Sequence, residues 1–243
     1  MSLYRQAQRA ANRLLAPVGL KVVRDRPERD MTALLLHKSA ERGVRTVLDV
    51  GANTGQFAAE LRRRGYRGPI ISFEPLSHAH ALMLAAAATD PGWIVAERMA
   101  LGAEEGEVEI NVSENSASSS LLEVAARSIE AESLTRFIGS ETTPVRRLDD
   151  VVLAEWEAPL AIKLDTQGFE LEVLRGAAET LKRTELVATE ISLARLYHGG
   201  ATASEVFAFL DRAGFRPISV TEGFADSRRH EVLQVDAVFV RDE

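Results

Sequence analysis

From Arg45 onward the chain alternates short, β-branched apolar runs with longer stretches of helical period. The apolar runs are Thr46–Val50, Pro69–Phe73, Trp93–Val95, Leu160–Leu164 and Glu185–Glu190. Between them, apolar positions spaced by three and four predict helices over Gly55–Arg64, His78–Ala88, Phe169–Lys182 and Ala203–Gly214. Near-continuous apolar runs belong to strands covered on both faces, so the alternation predicts successive βαβ units, a mostly parallel α/β sheet with helices on either side. Two segments depart from it. Between Glu104 and Val152 lie a strand-like Glu107–Val112, a serine-rich turn Ser113–Ser120 and a helical pattern over Leu121–Ile138, expected as an elaboration inserted between sheet strands. At the C-terminus, Arg216–Thr221 and Val232–Val240 read as strands joined by the polar, glycine-containing Glu222–Glu231, which predicts an antiparallel pair at the sheet edge. There is no internal repeat and no flexible linker.

Ahead of this core, Leu3–Leu20 carries Arg5, Arg9 and Arg13 at a spacing of four, with Leu14 and Leu15 among alanines, and reads as a basic helix ending at Pro17 and Gly19. The organisation expected is an N-terminal helical cap over 1–43 and a main domain over 44–243, with the elaboration at about 104–152. The weak apolar face predicts a cap packed on the domain. A basic helix of this kind also suits peripheral contact with an anionic membrane that holds a lipid-linked acceptor.

A chain of 243 residues that is 46% apolar and 27% charged buries one substantial core, which excludes wholesale disorder. A net charge of −7 gives no reason for the surface to seek nucleic acid, and Arg62, Arg63 and Arg64 read as a solvated helix face. With no cysteine, disulfides, thiolate metal sites and cysteine nucleophiles are excluded. No apolar run approaches the roughly 20 residues that span a bilayer, and the N-terminus lacks the apolar centre of a signal peptide, so a cytoplasmic protein is expected. Oligomeric state stays open.

The chemistry sits at strand ends. Val47-Leu48-Asp49-Val50-Gly51-Ala52-Asn53-Thr54-Gly55 is an apolar strand that enters a glycine turn and then a helix, where backbone can approach a ligand closely and amide donors are available. The spacing lacks the further glycines that bring backbone against a pyrophosphate, which favours a ligand without phosphate. Glu74, about 20 residues beyond the turn, closes the second strand before Pro75 and is placed to accept hydrogen bonds from ribose hydroxyls. Ile162-Lys163-Leu164-Asp165-Thr166-Gln167-Gly168 repeats the arrangement and delivers Asp165 at a strand end, where it serves a ligand, a helix N-cap, or both. In open α/β sheets ligands bind beyond the carboxyl ends of the strands, so Gly51, Glu74, Asp165 and Glu190 are expected to converge there.

Asp49-Val50-Gly51-Ala52-Asn53-Thr54-Gly55, Phe73-Glu74-Pro75, Arg147-Leu148-Asp149-Asp150 and Ile162-Lys163-Leu164-Asp165-Thr166-Gln167-Gly168-Phe169-Glu170 together resemble the FkbM-type methyltransferases. Ser118-Ser119-Ser120-Leu121 and Leu174-Arg175-Gly176-Ala177 are similar to that family's intervening blocks, and the resemblance runs from about Val44 to Glu190. It implies a Rossmann-like seven-stranded methyltransferase sheet and S-adenosylmethionine over Gly51 to Gly55 with its ribose on Glu74. It further implies O-methylation of a hydroxyl on a sugar, glycolipid or polyketide-type natural product. The residues alone lead only to a nucleoside-like ligand.

The cofactor-binding candidates are Asp49, Gly51, Ala52, Asn53, Gly55, Glu74, Pro75, Ala100 and Asp165. An alcohol acceptor must lose its proton, so Asp165 is the first candidate base, the loop residue His198 the second, and Glu190 an orienting carboxylate. Asp165, Glu190 and His198 also offer ligands to a hard divalent cation, although no spacing demands one. His78 and His80 are expected at the surface. An NAD-dependent oxidoreductase and a non-catalytic nucleoside-binding domain are the competing readings.

Overall fold

The computed structural model describes residues 3–20, 22, 26–113, 137–152, 156–194, 196–197 and 199–242. Helix α1 (Leu3–Leu15) comes first, then α2 (Met31–Glu41), whose N-cap Asp30 accepts a hydrogen bond from the Ala33 amide at 2.8 Å. The βαβ alternation follows: β1 (Thr46–Val50), α3 (Gln56–Arg63), β2 (Ile70–Phe73), α4 (Ser77–Ala87) and β3 (Trp93–Val95). A short β4 (Ala100–Leu101) leads into β5 (Gly106–Ser113) and β6 (Phe137–Arg146), then α5 (Leu148–Val151) and β7 (Leu160–Leu164). The chain finishes with α6 (Glu170–Arg175), α7 (Ala178–Lys182), β8 (Thr184–Ser192), α8 (Ala203–Arg212), β9 (Phe215–Glu222), β10 (Ala225–Asp226), β11 (Glu231–Val232) and β12 (Gln234–Arg241).

The main sheet has seven strands in the order β3-β2-β1-β7-β8-β12-β9, parallel from β3 to β8 and antiparallel where β12 meets both β8 and β9. Side chains alternate between its faces. Leu48, Val50, Ile71, Phe73, Ile162 and Leu164 join one core cluster, which also takes residues of α6, α7 and α8. Val47, Ile70, Ala161, Leu186 and Ala188 join the other, with residues of α2, α3 and α4.

Several expectations change. The C-terminal pair is antiparallel and ends the sheet as expected; within it β12 lies between β8 and β9, leaving β9 outermost. The strand compositions agree, since β9 carries Pro217 and exposes much of its length, whereas β12 is mostly buried. The link between them contains a small β10–β11 hairpin. The helix expected over Phe169–Lys182 breaks in two at Gly176, where a Cβ would come within 2.0 Å of the Gly102 carbonyl oxygen. In the elaboration, β5 and β6 pair antiparallel, and with β4 they form a second sheet in the order β4-β6-β5. Phe137 and Ile138, expected at the end of a helix, open β6 instead. The rest of that predicted helix and the serine-rich turn after Ser113 lie outside the described residues. Among the described residues, no helix is long and apolar enough to cross a membrane.

Candidate active site

The loops that follow β1, β2 and β7 meet around a cavity of about 490 Å³. Gly51, Asn53, Glu74, Pro75, Ala100 and Asp165 all lie on its wall, with Lys163, Gln167 and the aromatic rings of Phe57, Phe73 and Phe169. Leu101 of β4 and Ile110 of β5 also line it, so the elaboration contributes one side, while Met31 of α2 and Gln56, Glu60 and Arg63 of α3 contribute another. Asp49 and Ala52 are buried behind the wall.

The glycine turn is built differently from the expectation. Gly51 has φ +72°, and a Cβ there would sit 1.9 Å from the backbone oxygen of Asp165, so the glycine lets β1 and β7 close on each other. Gly55, at φ +87°, makes room for the Trp93 ring at 2.5 Å. The turn's amides also face inward. Those of Gly51 and Ala52 donate to the Phe73 carbonyl at 3.1 and 3.0 Å, and that of Gly55 donates to the Ala52 carbonyl at 2.8 Å. Glu74, 4% exposed, accepts from the Asn53 amide at 2.7 Å through one oxygen and from the Leu76 amide at 2.9 Å through the other. A turn with its donors so engaged is no phosphate nest, in agreement with the missing glycine triplet.

Asp165 directly follows β7, with its side chain 38% exposed. The Gln167 amide donates to Asp165 at 2.7 Å and to Glu190 at 3.1 Å. Glu190 is therefore one side chain removed from Asp165 and is absent from the cavity wall. His198 lies outside the described residues, and among the described residues no three of His, Cys, Asp and Glu converge to hold a metal ion. His78 is exposed; His80 is half-buried, its Nε2 2.8 Å from the Ala96 carbonyl.

The methyltransferase FkbM domain matches residues 49–217, spanning the glycine turn, Glu74 and Asp165. The chain belongs to the FkbM methyltransferase family. It is an S-adenosylmethionine-dependent methyltransferase, and the oxidoreductase and non-catalytic readings fall away. The hexuronic acid methyltransferase AglP of Haloferax volcanii is 28% identical over 193 residues, which are 79% of this chain and 71% of that one. Solved structures are looser likenesses that add nothing to the sheet order already seen. A TehB-like S-adenosylmethionine-dependent methyltransferase from Corynebacterium glutamicum is 14% identical at TM-score 0.45, covering 98% of this chain and 97% of its own. The 1,6-didemethyltoxoflavin-N1-methyltransferase of Burkholderia thailandensis, bound to S-adenosylhomocysteine, is 11% identical at TM-score 0.45, covering 99% and 86%.

What the sequence analysis missed in this FkbM methyltransferase is the polar layer beneath the cavity. Ser72, Asp49 and Lys163 pair across β2, β1 and β7 and form a row on the face that α2, α3 and α4 cover. Lys163 Nζ lies 3.3 Å from Asp49 and 3.6 Å from Asp165, donates to the Gly51 carbonyl at 3.1 Å and sits 5.6 Å from the Phe57 ring centre. Burial alone would lower the Lys163 pKa, but Asp49 and Asp165 outweigh it and hold the ammonium above its usual value. Burial pulls Asp49 upward against that pairing, while the Ser72 hydroxyl donates to its second oxygen at 3.3 Å. The signal for Lys163 was present: a charge inside the apolar strand Leu-Ala-Ile-Lys-Leu needs a buried partner.

A second row lies nearer the strand ends, where Glu190 of β8 faces Asp236 of β12. Glu190 accepts from Gln167 and, at 2.5 Å, from the Gln234 amide; the Tyr197 hydroxyl donates to Gln167. Burial first, then Asp165, Glu170 and Asp236, push Glu190 up to about 8, so it holds a proton far more readily than the orienting carboxylate expected from sequence. Burial likewise raises Glu74 to about 7, against the two amides it accepts from. Nothing in the spacing of Gln167, Tyr197, Gln234 or Asp236 announced this layer.

Proposed function

We propose that the chain methylates a hydroxyl oxygen of a sugar-type acceptor, with Asp165 taking the hydroxyl proton. The observation that carries this reading is Asp165 itself, the exposed carboxylate on the cavity wall, oriented by Gln167 and flanked by Lys163. The 28% identity to a hexuronic acid methyltransferase supports a sugar as the acceptor. The residues also suit the cofactor. Glu74 and Asn53 offer a polar end for a ribose, the aromatic rings offer an apolar body, and the cavity falls within the roughly 300–1,000 Å³ of small-molecule sites.

Bound S-adenosylmethionine supplies an electrophilic methyl group on a sulfonium. The protein's share is to hold the acceptor hydroxyl in line with that methyl and to keep water out with Phe57, Phe73, Phe169, Leu101 and Ile110. Asp165, held by Gln167, would take the acceptor hydroxyl's proton as that oxygen accepts the methyl group the cofactor would supply.

The test is release of S-adenosylhomocysteine with uronic acid and neutral sugar glycosides as acceptors. Asp165→Asn should lower turnover on the accepted sugar by about 100-fold or more with cofactor affinity nearly unchanged, and a chelator should have no effect. Near-parental turnover of the variant overturns the base assignment. Chelator-sensitive turnover moves the alkoxide to a divalent ion, with His198 then a candidate ligand.

A further inference from the structure

Helix α1 stands outside the core and leaves apolar side chains in water. None of its side chains whose burial is described is buried, and the core clusters take no residue before Met31. Its half-buried side is mixed, with Gln8 and Asn12 beside Ala11 and Leu15. Gln8 and Asn12 both donate to the Val22 carbonyl at 3.0 Å, and the Asn12 side-chain oxygen accepts from the Val22 amide at 2.5 Å, which ties the helix to the returning chain. Ala7, Ala10 and Leu14, at spacings of three and four, share the outer side, and Leu14 is 81% exposed. Val18, Leu20 and Val22 continue the exposed apolar run at 68, 61 and 40%. A helix that packs on a domain turns its apolar stripe to the core and its amides to water.

Charge identifies what covers this stripe. Arg9 and Arg13 are exposed on the same helix, whose sequence contains no acid. Residues 1–29 hold seven Lys and Arg against two Asp and Glu, a net +5, whereas the remaining chain holds 22 against 34, a net −12. The charge is polarised along the sequence, and the exposed Leu14, Val18 and Leu20 belong to its positive segment. We propose that α1 and its continuation to Val22 lie in the surface of an anionic lipid bilayer. Leu14, Val18 and Leu20 enter the acyl boundary, and Arg9 and Arg13 rest on the headgroup phosphates. The acidic remainder is repelled by such a surface, so only this end touches it. A nucleic acid matches the arginines but leaves Leu14, Val18 and Leu20 in water. The proposal stands independently of the acceptor.

The experiment is co-sedimentation of the full chain with phosphatidylcholine vesicles, with and without about 30% phosphatidylglycerol. Binding to the anionic vesicles should exceed binding to the neutral ones by about tenfold or more and fall as salt rises. Leu14→Asp/Val18→Asp should abolish it at low salt. Arg9→Glu/Arg13→Glu should remove the preference for phosphatidylglycerol. Both variants should melt with the parent, since these residues contribute nothing to the core clusters. Three outcomes overturn the proposal: no sedimentation of the parent with anionic vesicles, equal binding to both vesicle types, or variants that sediment like the parent. A fourth is light scattering that shows a parent dimer converted to monomer by Leu14→Asp, which makes this face a contact between two copies.

Discussion

Replacing Glu74 with alanine tests whether the buried carboxyl between the two loops holds the turn together, and it separates that duty from cofactor binding. In the folded protein its oxygens accept from the Asn53 and Leu76 amides at 2.7 and 2.9 Å. Truncation leaves both donors without a partner, at about 1–3 kcal/mol each where water cannot replace the oxygen. The Leu76 donor is buried and the Asn53 donor only partly so, which puts the loss near ~2–3 kcal/mol. An opposing effect depends on pH. Burial raises the Glu74 pKa from 4.5 to about 7, so across that interval the native state keeps a proton that the unfolded chain has released. Parent stability therefore declines as pH climbs through the interval, by up to ~3 kcal/mol at about 1.4 kcal/mol per unit, and the variant lacks that decline. Glu74→Ala should be clearly destabilising near pH ~5 and close to neutral near pH ~8. Urea denaturation of both proteins across this range measures the difference. A penalty that stays flat with pH, or grows toward the alkaline side, refutes the account. Calorimetry near pH ~8, where the fold is least affected, then isolates the ligand: loss of two ribose hydrogen bonds should weaken S-adenosylmethionine by roughly 1–3 kcal/mol. Parental affinity there would leave Glu74 as a structural clamp alone.

Gly51→Ala puts a Cβ 1.9 Å from the Asp165 carbonyl at a positive φ, so denaturation should show a loss of about 2–4 kcal/mol even without ligand; a loss under about 0.5 kcal/mol contradicts the packing described. Lys163→Met should cost about 3–5 kcal/mol because it leaves Asp49, fully buried, without its counter-charge; a thermal shift within error would mean the pair contributes little. Glu190→Gln mimics a neutral acid and still accepts from Gln167 and Gln234, so turnover near pH ~7 should stay within about threefold of the parent. The same variant should lose less stability than the parent as pH rises from 4.5 toward 8, since the raised native pKa penalises the parent over that window. Abolished turnover at neutral pH would show that Glu190 works as an anion.

The sequence by itself determined which segments are strands of the main sheet and where the reacting ends lie, though not the strands β4 and β6 of the smaller sheet. Runs such as Thr46–Val50 and Leu160–Leu164 form strands over the residues expected, because a strand covered on both faces is apolar at most positions and little else of that length reads that way. The convergence of Gly51, Glu74 and Asp165 followed, since parallel strands deliver their carboxyl ends to one side. Tertiary structure alone decided who stands next to whom. Periodicity assigns a residue to a face and says nothing of the neighbouring strand, so the Ser72–Asp49–Lys163 row, the insertion of β12 between β8 and β9, and the Glu190–Asp236 pairing appear only once the sheet is assembled. The same holds for Gly51 and Gly55: a glycine in a turn reads as room for a ligand, yet the atoms that claim the space are the Asp165 carbonyl and the Trp93 ring, both brought there by contacts distant in sequence. Nor did composition reveal that the Glu190 pKa is raised. Its pKa is set by burial and by carboxyl groups from other elements, which stand together only in the folded chain.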